Sequence, residues 1–127
     1  MLRLQDIMAS NLVRVDADTT IRAAARLMTD RRLGCLAVER DHQIVGVVTE
    51  HDMVTRVLAP GLDPDTRQMA EIMSTPLITM EGGTGLREAR ERMDREGIRH
   101  LLVTVEGEIR GIVSIRDLIH TPRPAGR

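Results

Sequence analysis

The feature that most constrains the fold of this chain is an internal repeat with a fixed offset of 65 residues. Residues 6–54 align without a gap onto residues 71–119, and 13 of these 49 positions are identical. A self-match of this length indicates that one supersecondary unit was duplicated. A unit of this size buries only about 60% of its unfolded surface. The repeats at 1–62 and 63–127 are therefore expected to share a core in one globular module.

Each repeat predicts the element order β-α-β-β-α, so the expected fold class is α/β, of the α+β type. Apolar residues recur at helical spacing after a first short strand, and two strands joined by a polar turn follow. Thr19 and Thr84 are predicted to cap the long helix of each repeat. Residues 121–127, which contain two Pro and one Gly, are predicted to form a flexible tail. The predicted strands are 12–15, 35–39 and 44–49 in the first repeat and 77–80, 100–105 and 109–114 in the second.

The amino-acid composition restricts the kinds of partner that the chain is expected to bind. The 18 basic residues, all Arg, are balanced by 19 acidic residues, and the chain has no Phe, Trp or Tyr. Nucleic-acid binding by phosphate neutralisation or base stacking therefore has little support. No apolar run approaches the roughly 18 residues of a membrane span. Cys35 is the only cysteine, so an intrachain disulfide is impossible and a cytoplasmic location is expected.

Motifs for catalysis and metal binding are missing from the sequence. There is no Gly-x-Ser-x-Gly, Walker loop or His-Glu-x-x-His, so the chain is predicted not to be an enzyme and to need no catalytic cofactor. The strongest enzyme alternative makes Asp52 or Asp117 a general base. His42, His51, His100 and His120 lack metal-ligand spacing, so no metal site is expected. Cys35 is predicted to line the core or a pocket rather than to react as a thiol.

A motif with a hydroxyl and a carboxylate closes the third strand of each repeat. It reads Gly46-Val47-Val48-Thr49-Glu50-His51-Asp52 and Gly111-Ile112-Val113-Ser114-Ile115-Arg116-Asp117. The hydroxyl and the free amides of a helix start favour a phosphate, and the Asp can accept hydrogen bonds from a ribose diol. The alternative is an N-terminal capping arrangement that needs no ligand.

These patterns together resemble the CBS repeat. The resemblance rests on the Ile-Met pairs at 7–8 and 72–73, on a Thr before an apolar helix that ends in Met, and on the two closing motifs. The chain is similar to stand-alone tandem pairs of this family, called Bateman modules, down to the connector Gly61-Leu62-Asp63-Pro64. The resemblance implies two repeats packed about a pseudo-twofold axis with two clefts between them, and a homodimer. Its helices are expected to meet through Met28, Met53, Met93 and Val54.

The resemblance also implies the function. It predicts a regulatory or sensory module that binds AMP, ADP, ATP, NAD or S-adenosylmethionine and acts on an unknown effector protein. A turnover assay with ATP and AMP tests for catalysis. The alternative that stays open is a ligand-free module for dimerisation or protein interaction.

Each implied cleft takes its Asp and hydroxyl from one repeat and its base-contacting residues from the other. Two arginines favour the cleft of Asp117 for phosphorylated adenosines, although both could instead be solvated arginines paired with acids. The favoured cleft comprises Asn11, Val13, Leu33, Gly34 and Cys35 at the base, Asp117 at the ribose, and Ser114, Arg116 and Arg99 at the phosphates. The second cleft comprises Pro76, Ile78, Ile98, Arg99 and His100 at the base, with Asp52, Thr49 and His51 below it.

Overall fold

The computed structural model describes residues 1–10, 12–75 and 77–119, and the chain divides into two compact units. The contiguous unit is Val13–Leu77, and the composite unit combines Met1–Leu12 with Ile78–Arg127. Each unit contains a three-stranded sheet and helices, which confirms the mixed α/β class. These spatial units differ from the repeats at 1–62 and 63–127, whose boundaries stay a prediction. Asn11, Pro76, His120 and the predicted tail 121–127 lie outside the described residues.

The elements follow the predicted order in both units. In each sheet the first strand is parallel to the second, and the second is antiparallel to the third. The contiguous unit contains β1 Arg14–Asp16, α2 Ile21–Arg31, β2 Cys35–Arg40, β3 Gln43–Thr49, α3 Glu50–Asp52, a π-helix Met53–Leu58 and a 3₁₀ turn Met69–Glu71. The composite unit contains α1 Leu4–Ile7, β4 Thr79–Glu81, α4 Leu86–Glu96, β5 His100–Val105, β6 Glu108–Ser114 and α5 Ile115–Ile119.

The helix caps differ from the prediction. Thr20, not Thr19, is the N-cap of α2, and its hydroxyl accepts from the Ala23 N–H at 3.2 Å. The Thr19 N–H instead closes a turn onto the Asp16 carbonyl at 3.0 Å, so the helix starts one residue later. The N-cap of α4 is Gly85, which has no side chain to accept, and not Thr84. The first strands also begin two residues later than predicted.

Each unit has its own apolar core between its sheet and its long helix. The core of the contiguous unit includes Met28, and that of the composite unit includes Met93, which are 6% and 1% exposed. The expectation that these two methionines lead a dimer interface is therefore wrong, because their side chains are already buried. Burial was expected over 44–48 and 109–113 of the third strands, but only Gly46–Val48 and Gly111–Val113 are buried, because the strands are half-buried or exposed near the turn that precedes them.

The segment that begins each sequence repeat packs on the fold of the other repeat. In the contiguous unit the Met69 N–H donates to the Thr19 carbonyl at 2.9 Å, and the Ser74 N–H donates to the Val47 carbonyl at 2.9 Å. The equivalent bonds in the composite unit join the Leu4 N–H to Thr84 at 3.0 Å and the Ala9 N–H to Ile112 at 2.9 Å. We call residues 1–9 and 66–74 the head segments. Their exchange explains why the composite unit includes the N-terminus of the chain.

The glycine of each closing motif makes room for a head segment. A Cβ at Gly46 would lie 2.6 Å from the Met73 sulfur, and one at Gly111 would lie 2.7 Å from the Ala9 carbonyl oxygen and from the Met8 sulfur. The methionine of each Ile-Met pair thus packs directly against the motif glycine.

Candidate functional site

The closing motif of the contiguous unit forms a buried capping box at the start of α3. The Asp52 Oδ2 accepts from the Thr49 N–H at 2.8 Å and from the Thr49 hydroxyl at 3.1 Å. The Thr49 Oγ1 in turn accepts from the Asp52 N–H at 3.2 Å. Thr49 is 9% exposed and Asp52 is 6% exposed. The capping arrangement considered as the alternative to ligand binding is therefore present here.

The closing motif of the composite unit has the same geometry in a more open setting. The Asp117 Oδ2 accepts from the Ser114 N–H at 2.9 Å, and the Ser114 Oγ accepts from the Asp117 N–H at 3.2 Å. Ser114 is half-buried and Asp117 is exposed. Asp117 is therefore more exposed than Asp52.

The start of each middle strand lies beside the closing motif of the same unit. The Glu50 N–H donates to the Gly34 carbonyl at 3.0 Å, and the Ile115 N–H donates to the Arg99 carbonyl at 2.8 Å. Cys35 pairs with Thr49, and His100 pairs with Ser114, across neighbouring strands. Each unit therefore brings together the base-contacting residues predicted for one cleft and the hydroxyl and Asp predicted for the other. The assignment of residues to two clefts stays a prediction.

The remaining predicted residues surround these two centres. Val13 accepts through its carbonyl from the Ala37 N–H at 2.9 Å, and Ile78 accepts from the Leu102 N–H at 3.0 Å. Both bonds extend the parallel pairing of the first and second strands toward the site. Val13, Leu33, Cys35, Ile78, Ile98 and His100 are half-buried, whereas Gly34, His51, Arg99 and Arg116 are exposed.

The two arginines that were predicted to bind phosphate, Arg99 and Arg116, are both exposed. Within residues 1–10, 12–75 and 77–119, neither Arg99 nor Arg116 forms an ion pair with an acid. Arg116 lies in the same helical turn as Asp117, and Arg99 precedes β5, which pairs with the strand that ends at Ser114. Both cations therefore belong to the exposed end of the composite unit.

A pocket of about 440 Å³ opens on the helical side of the contiguous unit. It includes Leu33 from the predicted site but none of Thr49, His51 and Asp52. The pocket is therefore distinct from the predicted ribose position. Its lining residues are Ala25, Met28, Thr29, Arg32, Leu33, Glu50 and Met53.

Sequence reasoning missed one side chain at the site, Arg56. Its Nε lies 3.7 Å from the Asp52 Oδ1, and its Nη1 donates to the carbonyls of Ile72 at 3.1 Å and Met73 at 3.2 Å. The spacing of four residues from Asp52 was the available signal, because such residues lie on one side of a helix. The contacts with the head segment could not be found by spacing.

The described part of the chain shows neither a metal-binding cluster nor a membrane-spanning helix. No group of three or more His, Cys, Asp or Glu residues among those residues could hold a metal ion. The helices described for this chain include none that combines the length and the apolar character required to span a bilayer. Neither finding extends to the residues outside the described ranges.

Comparison with known proteins identifies the two repeats. The CBS domain profile matches residues 4–59 and 69–123. The CBS domain-containing protein YhcV of Bacillus subtilis is 30% identical over 118 residues, covering 93% of this chain and 84% of that protein. Hypoxic response protein 1 of Mycobacterium tuberculosis is 29% identical over 127 residues, covering 98% of this chain and 89% of that protein.

Solved structures agree with the sequence comparison. An uncharacterized conserved protein from Pyrococcus horikoshii superposes with a TM-score of 0.86 at 32% identity, covering 99% of this chain and 97% of that one. A hexameric CBS-CP12 protein from bloom-forming cyanobacteria gives a TM-score of 0.87 at 30% identity, covering 98% of this chain and 73% of that one. Hypoxic response protein I, solved with two coordinated zinc ions, gives 0.74 at 27% identity, covering 96% and 100%. The expected family is thus confirmed: the chain belongs to the CBS-domain family and carries two CBS domains in tandem.

Proposed function

We propose that this tandem pair is a regulatory module that binds an adenosine-containing ligand and catalyses no reaction. Pairs of CBS domains are generally regulatory and often bind ligands. The observation that carries the proposal is the exposed end of the composite unit. There the Asp117 carboxylate, the Ser114 hydroxyl and two arginines, Arg99 and Arg116, lie at one strand-to-helix junction.

The chemistry of this junction fits a phosphorylated ribose. A carboxylate can accept from both hydroxyls of a ribose diol, and hydrogen bonds to a charged group contribute about 1.5–3 kcal/mol each. The guanidinium groups suit phosphate oxygens, because their planar fork can donate twice to one phosphate. The adenine would contact half-buried aliphatic residues, since the chain has no Phe, Trp or Tyr on which a base could stack.

The resemblance supports a cleft in which the base-contacting residues come from the other repeat. On that basis Val13, Leu33 and Cys35 would face the adenine of the nucleotide held by Asp117. A ligand that contacts both repeats could favour one of two arrangements, and a difference in affinity between them is what regulation requires. An effector protein would read the change, and the proposal places the module in the cytoplasm, where a chain with a single cysteine needs no disulfide.

A calorimetric screen with AMP, ADP, ATP, NAD and S-adenosylmethionine tests the proposal. A ligand that binds only the folded chain raises the unfolding free energy by about 2.7 kcal/mol at a hundredfold excess over its Kd. We expect at least one of the five to do so, and Asp117→Ala to abolish the effect. If none of the five changes the thermal unfolding, the proposal is refuted.

A second function is favoured by a different surface, the π-helix of the contiguous unit. Val54 and Leu58 are 55% and 73% exposed there, although both are large apolar residues. A relative has been solved as a hexamer. A ligand-free module that assembles through this surface would form oligomers independently of nucleotide. Light scattering of the wild type and of Leu58→Glu tests this function, which a monomer at micromolar concentration would exclude.

A further inference from the structure

The carboxylate of Asp52 is already engaged on both oxygens. Its Oδ2 accepts twice from Thr49, and its Oδ1 faces the Arg56 Nε at 3.7 Å. An ionised carboxylate offers about four acceptor positions, and a ribose diol needs two of them at the exposed edge. Asp52 as a whole is 6% exposed, so little of its surface is open to a ligand.

The guanidinium of Arg56 is held in place from its other side. Its Nη1 donates to the carbonyls of Ile72 and Met73, at 3.1 and 3.2 Å, in the head segment that packs on this unit. A side chain fixed at two points has little rotamer freedom left to lose when it also contacts a carboxylate. A ribose that displaced Arg56 from Asp52 would have to compete with an anchored cation rather than with a mobile one.

The second repeat has no equivalent of Arg56. With the offset of 65 residues, the matching position is Thr121, whose side chain carries no charge. Asp117 is exposed, whereas Asp52 is buried. The two closing motifs therefore share their capping geometry but differ in the exposure of the Asp and in the residue type four positions after it, Arg56 in one and Thr121 in the other.

We infer that Arg56 closes the Asp52 motif to ribose, so that the chain holds one adenosine site at Asp117 and a latent second site that loss of Arg56 opens. This inference rests on the proposed function. Arg56 is a positioning residue, because it acts on the Asp52 carboxylate and holds it toward Thr49 rather than contacting the ligand itself. The wild-type affinity of the Asp52 motif for AMP is expected to be at least about tenfold weaker than that of the Asp117 motif.

Calorimetric titration with AMP measures the number of sites per chain. We expect one site in the wild type and two in Arg56→Gln. The double variant Arg56→Gln with Asp52→Ala should return to one. Arg67→Gln is the matched control, because Arg67 also forms an ion pair with an acid four residues away, Glu71, but does not contact Asp52. It should keep one site.

A nucleotide without the 2′-hydroxyl gives an independent readout. The site gained in Arg56→Gln should bind 2′-deoxy-AMP at least about tenfold more weakly than AMP, because one hydrogen bond to the charged Asp52 is lost. A general loosening of the fold would not discriminate between these nucleotides. Far-UV dichroism checks that each variant is folded, and Arg56→Met replaces Arg56→Gln if the latter unfolds, since methionine keeps the apolar stem.

The outcomes separate this inference from the proposed function. One site in both the wild type and Arg56→Gln overturns the inference and leaves the proposed function intact. Two sites in the wild type also overturn the inference. Binding by Arg56→Gln but not by the wild type supports the closure of the Asp52 motif by Arg56, but it overturns the adenosine site at Asp117, and with it the proposed function there. No binding by any variant refutes both.

Discussion

Replacing each motif aspartate by alanine should separate the structural role of Asp52 from the ligand-binding role of Asp117. The two residues occupy equivalent positions in the repeat and make the same bond to the preceding hydroxyl residue. Asp52 is 6% exposed and also lies near Arg56, whereas Asp117 is exposed. The same substitution is therefore expected to have a large structural effect at one position and a small one at the other.

The magnitude follows from the contacts that are lost. Asp52→Ala removes two hydrogen bonds from Thr49 to a buried carboxylate. Because hydrogen bonds to charged groups contribute about 1.5–3 kcal/mol each, the loss of both should lower the unfolding free energy by about 3–6 kcal/mol. The nearby Arg56 is half exposed, so its ion pair adds about 0–1 kcal/mol. Asp117→Ala acts on an exposed cap and should cost about 0.5–1 kcal/mol.

Urea unfolding followed by far-UV dichroism measures this difference, since a chain without Trp or Tyr has almost no intrinsic fluorescence. The midpoint should fall further for Asp52→Ala than for Asp117→Ala, at a similar slope. Affinity for AMP should change in the opposite order, with the larger loss in Asp117→Ala. Equal midpoints for the two variants would refute the argument from burial, and an equal loss of AMP affinity would refute the ranking of the two motifs.

Three further predictions test other contacts. In urea titration, Gly111→Ala should lower the unfolding free energy by about 1–3 kcal/mol, because the added Cβ would lie 2.7 Å from the Ala9 carbonyl oxygen. Gly83→Ala is the control and should be close to neutral, because the nearest contact of its Cβ is at 3.7 Å. The hydrogen bond from Arg22 lowers the pKa of Asp65 in the folded chain. The ionised Asp65 therefore stabilises the fold fully above the unfolded pKa of about 3.9, and this stabilisation is lost as the pH falls through the lower pKa of the folded state. Asp65→Asn should therefore flatten the loss of stability below about pH 4 in acid titrations followed by dichroism. Arg116→Ala should weaken ATP and ADP more than adenosine in calorimetry, and equal losses would place Arg116 away from the phosphates.

The internal repeat predicted the fold because its evidence is local and periodic. The apolar spacing of α2 and α4 and the paired strands that follow are each contained within a few turns of chain. The cap at Thr20 was missed by one residue because the preceding turn, closed by the Thr19 N–H, is a competing local structure. Propensity alone does not decide between two adjacent threonines.

The site was predictable only in part, because its environment depends on contacts distant in sequence. The hydroxyl and Asp of each closing motif were found from spacing, and both are at a strand-to-helix junction. Arg56 lies beside the Asp52 Oδ1, and its position depends on its contacts with Ile72 and Met73 of a head segment. No periodicity in the sequence indicates that the head segment packs there.

The exchange of head segments predicts which half of the chain can fold alone. Residues 1–62 correspond to the first sequence repeat, and residues 13–77 to the contiguous unit, so the two fragments have nearly equal lengths. Only the second contains Met69 and Ile72, which are 0% and 1% exposed in its core. Burial of one such side chain contributes about 1.5–3 kcal/mol, so the fragment 1–62 lacks about 3–6 kcal/mol.

That deficit is comparable with the whole stability of a small domain, which is about 5–15 kcal/mol. The fragment 1–62 also loses the donors that satisfy the Thr19 and Val47 carbonyls, namely the N–H groups of Met69 and Ser74. We therefore expect 13–77 to show helical dichroism and a cooperative thermal transition, and 1–62 to show neither. A fragment 1–62 that melts as cooperatively as 13–77 would mean that the head segment is dispensable, and the Ile-Met pair and motif glycine would then need another explanation.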